Sequence, residues 1–294
     1  MHLNVINTLI RHMDERLCDM KSEVFKVNRI DDLEYLTIPA FERAGITNHC
    51  FSTRLGGVSK GIYESMNLGF NRGDLDENVR KNFEILCSSV GINYKDLVFS
   101  DQVHRDVIKV VTSKDKGKGI FRESDIEGVD ALITNESKVP LVTFYADCVP
   151  IYFLDPVKKV IGLTHSGWRG TVQKIASKTV EKMVSEFSSN VDDILCCIGP
   201  SIGPCCFEVE SEVVDEFKKI FNIEEQDKVI KKKTKNKYLI DLWTANKLIL
   251  LDVGINNENI TITDICTNCN KDQMFSHRGT GGERGSLAAI MELK

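Results

Sequence analysis

Residues 144–170 read FYADCVPIYFLDPVKKVIGLTHSGWRG. The order is strand, turn, strand, turn, strand, then the start of a helix. The strands are continuous apolar runs rather than alternating ones, which points to sheets covered on both faces. Cys148 stands at one junction, and His165 stands at the end of the last strand, where a helix begins. The Gly167-Trp168-Arg169-Gly170 turn would direct backbone N–H groups toward the same place, as helix N-termini do. Upstream, the segment 99–104, FSDQVH, puts His104 just before another strand. His104, Cys148 and His165 are therefore expected to form one site.

Working outward, strands are expected at 97–100, 107–111, 131–134, 141–146, 149–154 and 160–164, preceded by edge strands within 25–40 and one at 46–53. Between them, Asp76 is placed as the cap of a helix over Asp76–Val90, ended by Gly91. A helix over 168–187 carries Val172, Ile175, Ala176, Val180, Met183, Val184 and Phe187 as its apolar stripe. Further on come a buried strand at 194–198, a helix over 210–221, a solvated lysine-rich hairpin tip at 231–237 and a helix capped by Asp241. A strand near 260–265 and a last one at 287–291 complete the pattern. No internal repeat or composition break appears, and the strands and helices do not alternate as in a doubly wound fold. The expectation is one domain of mixed α and β layers over 25–294, with 1–24 as an extension. Residues 5–20 read as a short amphipathic helix through Val5, Leu9, Met13 and Leu17.

Composition narrows the function. The 294 residues are 42% hydrophobic and 28% charged, as in an ordinary globular protein. A net charge of −5 gives no basic excess to neutralise a nucleic acid. No apolar run is long enough for a membrane span, and the N-terminus lacks the pattern of a secretory signal. Ten cysteines without such a signal point to a reducing, cytoplasmic setting rather than a disulfide framework. Cys87, Cys196 and Cys197 lie in apolar segments as small buried hydrophobes.

Two imidazoles and a thiolate suit a borderline-soft cation such as Zn²⁺, and three protein ligands leave the fourth position for water or substrate. The separations match no short zinc motif. On residue types alone, a metal site and a buried cysteine beside two hydrogen-bonded histidines both remain open.

The blocks TRLGGVS, NLG, DQVH, ADCVPIYFLD, HSGWRG, IGPSIGPCCFEV, DLWTANKLIL and CTNC…FSHR, in this order, resemble the laccase-domain family. Its members are also called multicopper polyphenol oxidoreductases and include purine nucleoside phosphorylases and peptidoglycan-editing proteins. The resemblance runs from about residue 30 to the C-terminus. It implies a layered α+β fold of α/β/β/α type. It also implies that His104, Cys148 and His165 bind one catalytic zinc. The tail departs from the family, with Gly281-Gly282-Glu283-Arg284-Gly285 where a Thr-Gly-Arg stretch is usual. A true multicopper oxidase needs many imidazoles, and six histidines, with His2, His12 and His49 outside the matching blocks, cannot assemble a three-copper site. A single His₂Cys copper centre is the alternative metal reading.

Arg54, in a glycine-rich turn, is expected to bind phosphate bidentately, with Asn67 nearby. Arg169 is a further candidate for substrate binding or a structural ion pair. Asp147 is a candidate to orient a ligand histidine or to act as acid or base, although strand alternation points it away from Cys148. Cys266 and Cys269 form a C-x-x-C with no second such pair, so a structural zinc is not expected there, although the vicinal Cys205-Cys206 could in principle supply two more thiolates. His277-Arg278 belongs to the family's FS-aromatic-R block.

The expected function is a zinc-dependent purine nucleoside phosphorylase acting on adenosine, inosine or methylthioadenosine with phosphate, with adenosine deamination as a second reaction. Purine specificity comes from the resemblance alone. The rivals are a Cys148–His165 hydrolase or amidase acting on a peptidoglycan precursor, a single-copper polyphenol oxidoreductase, and a zinc-bearing interaction module without turnover. Purine nucleosides and phosphate are the expected partners, with neither nucleic acid nor membrane.

Overall fold

The computed structural model describes residues 21–294. The helix expected over 5–20 lies outside the described residues. In chain order the elements begin with β1 (Lys26–Ile30), β2 (Leu33–Thr37), α1 (Pro39–Ala44), β3 (Thr47–Ser52), α2 (Asp76–Val90), β4 (Val98–Phe99), β5 (Ile108–Val110), β6 (Ala131–Thr134), β7 (Leu141–Tyr145), β8 (Val149–Asp155) and β9 (Val160–Ser166). They continue with α3 (Trp168–Val172), α4 (Ile175–Phe187), β10 (Leu195–Ile198), β11 (Glu208–Val209), α5 (Ser211–Ile220), α6 (Ile223–Val229), β12 (Ile230–Lys232), β13 (Tyr238–Ile240), α7 (Leu242–Asp252), β14 (Ile260–Ile262), α8 (His277–Thr280) and β15 (Leu287–Leu293).

Two six-stranded sheets, ordered β1-β2-β3-β15-β7-β4 and β14-β10-β8-β9-β6-β5, form the centre, with a small sheet β11-β13-β12 at the side. Both large sheets are mixed: β4 runs parallel to β7, β5 to β6 and β10 to β14, while β8 and β9 form a long antiparallel hairpin. The apolar runs of the strands sort into layers by the two-residue period of a strand. In β8, Tyr152 and Leu154 face the first sheet, together with Leu141, Leu287 and Met291 from it. Their neighbours Val149, Ile151 and Phe153 face the other way, against Val180 and Met183 of α4 and Leu242, Ala245 and Ile249 of α7. On the outer face of the first sheet, Val142, Ala288 and Ile290 pack against Val79, Phe83 and Leu86 of α2. The result is the α/β/β/α layering and α+β class expected. Burying such a side chain contributes about 1.5–3 kcal/mol, so each layer is stabilised on both faces. Two buried phenols tie the sheets together: Tyr152 donates to Cys50 O at 2.8 Å and Tyr145 to Thr164 O at 3.0 Å.

Local details differ from the sequence pattern in three places. Asp76 is the first helical residue of α2, not its cap; the capping position is Leu75, which makes no side-chain cap. The neighbouring Asp74 carboxylate instead accepts from Leu75 N, Asn78, Ser59 and Asn67, and so braces the loop before the helix. The helix expected over 168–187 is two helices, broken at Lys174, which has φ of +58°. The apolar stripe continues across the break, so periodicity does not reveal it. The strand expected at 260–265 is a regular strand only over Ile260–Ile262. Asp241 does cap α7, accepting from Trp243 N and Thr244 N at 3.0 Å each. The lysine-rich stretch is a hairpin tip between β12 and β13.

This topology gathers the candidate residues. The connections β4→β5 and β7→β8 both cross from the first sheet to the second at the same end. His104 lies in one, Ala146-Asp147-Cys148 is the other, and β9 ends there with Pro150 opposite His165.

Candidate active site

One buried carboxylate organises the end of the second sheet. Asp130, directly before β6, is fully buried. It accepts from Val103 N at 3.1 Å, His104 N at 3.0 Å and Arg105 N at 2.9 Å. It also bonds His165 Nδ1 at 2.7 Å. Burial alone would raise this carboxyl; the hydrogen bond and charge of His165 and the bonds from Arg105 N and Val103 N outweigh it and hold it below its ordinary value. His104 has φ of +62° and Asp147 of +89°. Left-handed backbone costs a non-glycine residue about 1–2 kcal/mol, and at His104 the bonds to Asp130 offset it.

The ligand atoms of His104, Cys148 and His165 all lie within 4.8 Å of one another. Cys148 Sγ is 3.8 Å from His104 Nε2, and the two imidazole rings are edge-on with centroids 4.8 Å apart. Gly167 makes room: a Cβ there would sit 3.0 Å from the His104 ring and 3.2 Å from Cys148 Sγ. Burial would raise the Cys148 thiol, but the charge of His165 and the hydrogen bond from His104 bring it down to about 6. Burial would lower His165, but Cys148 and Asp130 raise it to about 9. Without a metal the pair therefore favours thiolate beside imidazolium. The donor set also fits a metal. With Nδ1 of His165 held by Asp130, Nε2 is left for a cation, the second partner that fixes the tautomer of a ligating histidine. Two imidazoles and a thiolate converge there, with room for a further ligand.

These three residues line a cavity of about 500 Å³. Phe70, Phe99 and Phe144 line its wall, and Arg72 and Arg284 provide its cations. Arg284 donates to Gly285 O at 2.9 Å and Ser286 Oγ at 3.2 Å, while its Nε is buried without a partner. Burial, then repulsion from Arg72, lowers this guanidinium to about 10.

The sequence candidates divide. His104, Cys148 and His165 come together as expected. Arg54 and Arg169 do not line the cavity. The Arg54 guanidinium donates to the carbonyls of Glu64 at 2.8 Å and Lys271 at 2.9 Å and covers Phe275, so it straps two loops together. Arg169 is exposed, with its guanidinium over Trp168. Asn67 is buried, and its Oδ1 accepts from Gly69 N and Ser286 N at 2.9 Å each. It thereby holds together the two segments that carry Arg72 and Arg284. Asp147 points away from Cys148, as strand alternation implies, accepting from Thr267 Oγ1 and Arg278 N at 2.6 Å each. Asp130, and not Asp147, orients the histidine. Its sequence signal is slight, an aspartate just before an apolar strand. His277 is exposed and outside the cavity, whereas Arg284, in the stretch that departs from the family pattern, is inside it. His49 is buried in β3, where it accepts from Ile38 N at 2.8 Å. Among the described residues no helix is long and apolar enough to cross a membrane.

The chain is similar in sequence and fold to several known proteins. The family model described as multi-copper polyphenol oxidoreductase laccase matches residues 48–294. The chain is 36% identical over 245 residues to a protein of Bacillus subtilis (strain 168) named purine nucleoside phosphorylase YlmD, covering 83% of this chain and 87% of that one. It is also 36% identical over 238 residues to adenosine deaminase RL5 from an unknown prokaryotic organism, covering 80% and 90%. The crystal structure of YlmD from Geobacillus stearothermophilus superposes with a TM-score of 0.86 at 33% identity, covering 92% of this chain and 99% of that one.

Proposed function

This chain belongs to the multi-copper polyphenol oxidoreductase laccase family, and within it we propose that the protein is a zinc-dependent purine nucleoside phosphorylase. The observation that carries the reading is one cavity lined both by the His104–Cys148–His165 donors and by Arg72 and Arg284, the Nε of Arg284 being buried without a partner. The names of similar proteins support the same class.

His104, Cys148 and His165 would hold the zinc, which supplies a Lewis acid when bound. Arg284 and Arg72 bind phosphate; two adjacent cations, one with a buried free donor, are relieved by an anion. The phenylalanine wall offers faces for a purine ring. An oxygen of hydrogen phosphate then bonds to ribose C1′ as the C1′–N bond breaks, and the purine leaves with that electron pair and takes up the phosphate's proton. Asp130 keeps His165 in one tautomer and orientation throughout, and Asn67 keeps the two arginine-bearing segments at a fixed separation. Adenosine deamination is the second reading, favoured by the similarity to the protein named adenosine deaminase.

The test is product analysis by mass spectrometry, with adenosine, inosine and methylthioadenosine, with and without phosphate, beside Cys148→Ala. Free base and ribose 1-phosphate should form only with phosphate and disappear in the variant. Inosine formed from adenosine without phosphate would add deamination. A zinc-loaded, folded protein that turns over none of these overturns the reading and favours a Cys148–His165 hydrolase on a cell-wall precursor.

A further inference from the structure

A second group of metal donors lies on the other side of Asp147. Cys205 and Cys206 sit in the turn after β10, closed by Cys206 N and Phe207 N donating to Gly203 O at 2.9 and 3.0 Å. Cys266 and Cys269 sit in the turn after β14, where Asn270 N donates to Cys266 O at 3.1 Å. The strands β10 and β14 are parallel neighbours, and the pairing continues past them as a bridge between Ser201 and Cys266. Two turns distant in sequence therefore leave the sheet side by side. All four sulfurs lie within 4.8 Å of one another, and Cys269 Sγ is 3.5 Å from both Cys205 Sγ and Cys206 Sγ.

We propose that Cys205, Cys206, Cys266 and Cys269 bind a second zinc ion, one with a structural role. The sulfur separations are far longer than a disulfide of about 2.05 Å. They match the edges of a tetrahedron with metal–sulfur bonds of about 2.3 Å, which are roughly 3.8 Å. Four thiolates select a soft, tetrahedral cation over oxygen-preferring ions, and four protein ligands leave no open position for substrate. A backbone N–H also points at the cluster: Gly203 N donates to Cys266 Sγ at 3.2 Å. Gly203 permits that approach, because a Cβ there would sit 3.0 Å from the Trp243 ring and 3.1 Å from Cys266 Cβ. Four thiolates around a dication carry excess negative charge, and Arg278 is at hand, donating to Cys206 O at 3.3 Å.

The site would brace the cavity. Asp147 is held by Ile202 N, by Thr267 Oγ1 and by Arg278 N. Ile202 precedes the Cys205-Cys206 turn, and Thr267 lies between Cys266 and Cys269. A metal that locks these turns together also fixes Asp147, and with it the backbone of the adjacent Cys148.

Elemental analysis of the full-length protein, purified under reducing conditions and saturated with zinc, tests this. The two donor groups found among the described residues predict two zinc ions per chain, falling to one in Cys269→Ser and to one in Cys148→Ala. Cobalt substitution of Cys148→Ala should still give the intense sulfur-to-metal charge-transfer bands of an all-thiolate tetrahedral site. That measurement stands even if Cys269→Ser does not fold. One zinc per chain that vanishes in Cys148→Ala overturns the proposal. So does a cobalt-loaded Cys148→Ala without those bands, or a disulfide among the four cysteines in the reduced, zinc-saturated protein.

Discussion

The His104–Cys148–His165 group and the four-cysteine group stand at the same end of the second sheet, on either side of Asp147, and their donors are arranged to opposite effect. The first mixes two imidazoles with one thiolate, opens into the cavity and is oriented by Asp130. The second is all sulfur, grips two loops and lines no part of that cavity. Ligand number and what lies beyond the ligands are what distinguish a donor group suited to chemistry from one suited to architecture. Three donors facing a cavity leave a coordination position for substrate, whereas four donors in two facing turns close it.

The widest separation between the two groups is expected from paired variants. Cys148→Ala should lower kcat/KM for phosphorolysis by about 10³-fold, since losing Lewis-acid stabilisation of several kcal/mol is worth about three orders of magnitude. Its melting temperature should change little. Cys269→Ser should do the reverse, with a Tm lower by on the order of 10 °C for a loss of a few kcal/mol and a much smaller loss of kcat/KM. Scanning calorimetry and steady-state kinetics on both variants check this, and a matching loss of activity in both would erase the distinction.

Asp130→Ala should weaken zinc binding at the first group by about 10–100-fold, the usual cost of removing the partner of a ligating histidine. A chelator competition titration should show the second zinc unaffected. Arg284→Gln should raise the KM for phosphate by about 10–100-fold, as expected for a lost charge-assisted hydrogen bond. Arg54→Gln should leave that KM unchanged and lower Tm instead, because its guanidinium bonds backbone carbonyls.

The smallest expected effect is in thiol reactivity once metal is stripped. Cys148 is then brought down to about 6, while burial and a hydrogen bond with Cys206 push Cys269 up to about 11. Only the thiolate is alkylated. At pH 7 iodoacetamide should label Cys148 ahead of Cys269, and labelling of Cys148 should fade as pH falls through about 6. Labelling of Cys269 should rise only well above neutrality. Equal labelling at pH 7, read by peptide mass spectrometry, would show that the two environments do not differ in this way.

The layers and most strands were legible because burial on both faces of a sheet leaves an unbroken apolar run, as in residues 149–154 and 160–164. The helix over Asp76–Val90 was legible for the same local reason, through its periodicity and Gly91. The break at Lys174 was not, since the apolar stripe runs through it. His104, Cys148 and His165 stood out as chemistry-bearing residues at strand ends, and family resemblance joined them. Arg54 does not line the cavity, and a glycine-rich turn with an arginine reads alike whether the guanidinium faces an anion or a carbonyl.

Sequence alone was enough for the class of fold, the elements that carry the three candidate metal donors and the family to which the chain belongs. The elements follow from residue type and from periods of a few positions along one segment, and the family from the order of the matching blocks along the chain. Only the tertiary structure decided that Asp130 orients His165, that Arg72 and Arg284 rather than Arg54 and Arg169 enter the cavity, and that two distant cysteine pairs meet. Each depends on which strands become neighbours and where the chain crosses between sheets. Such contacts join segments far apart in the chain, and no local pattern encodes their meeting.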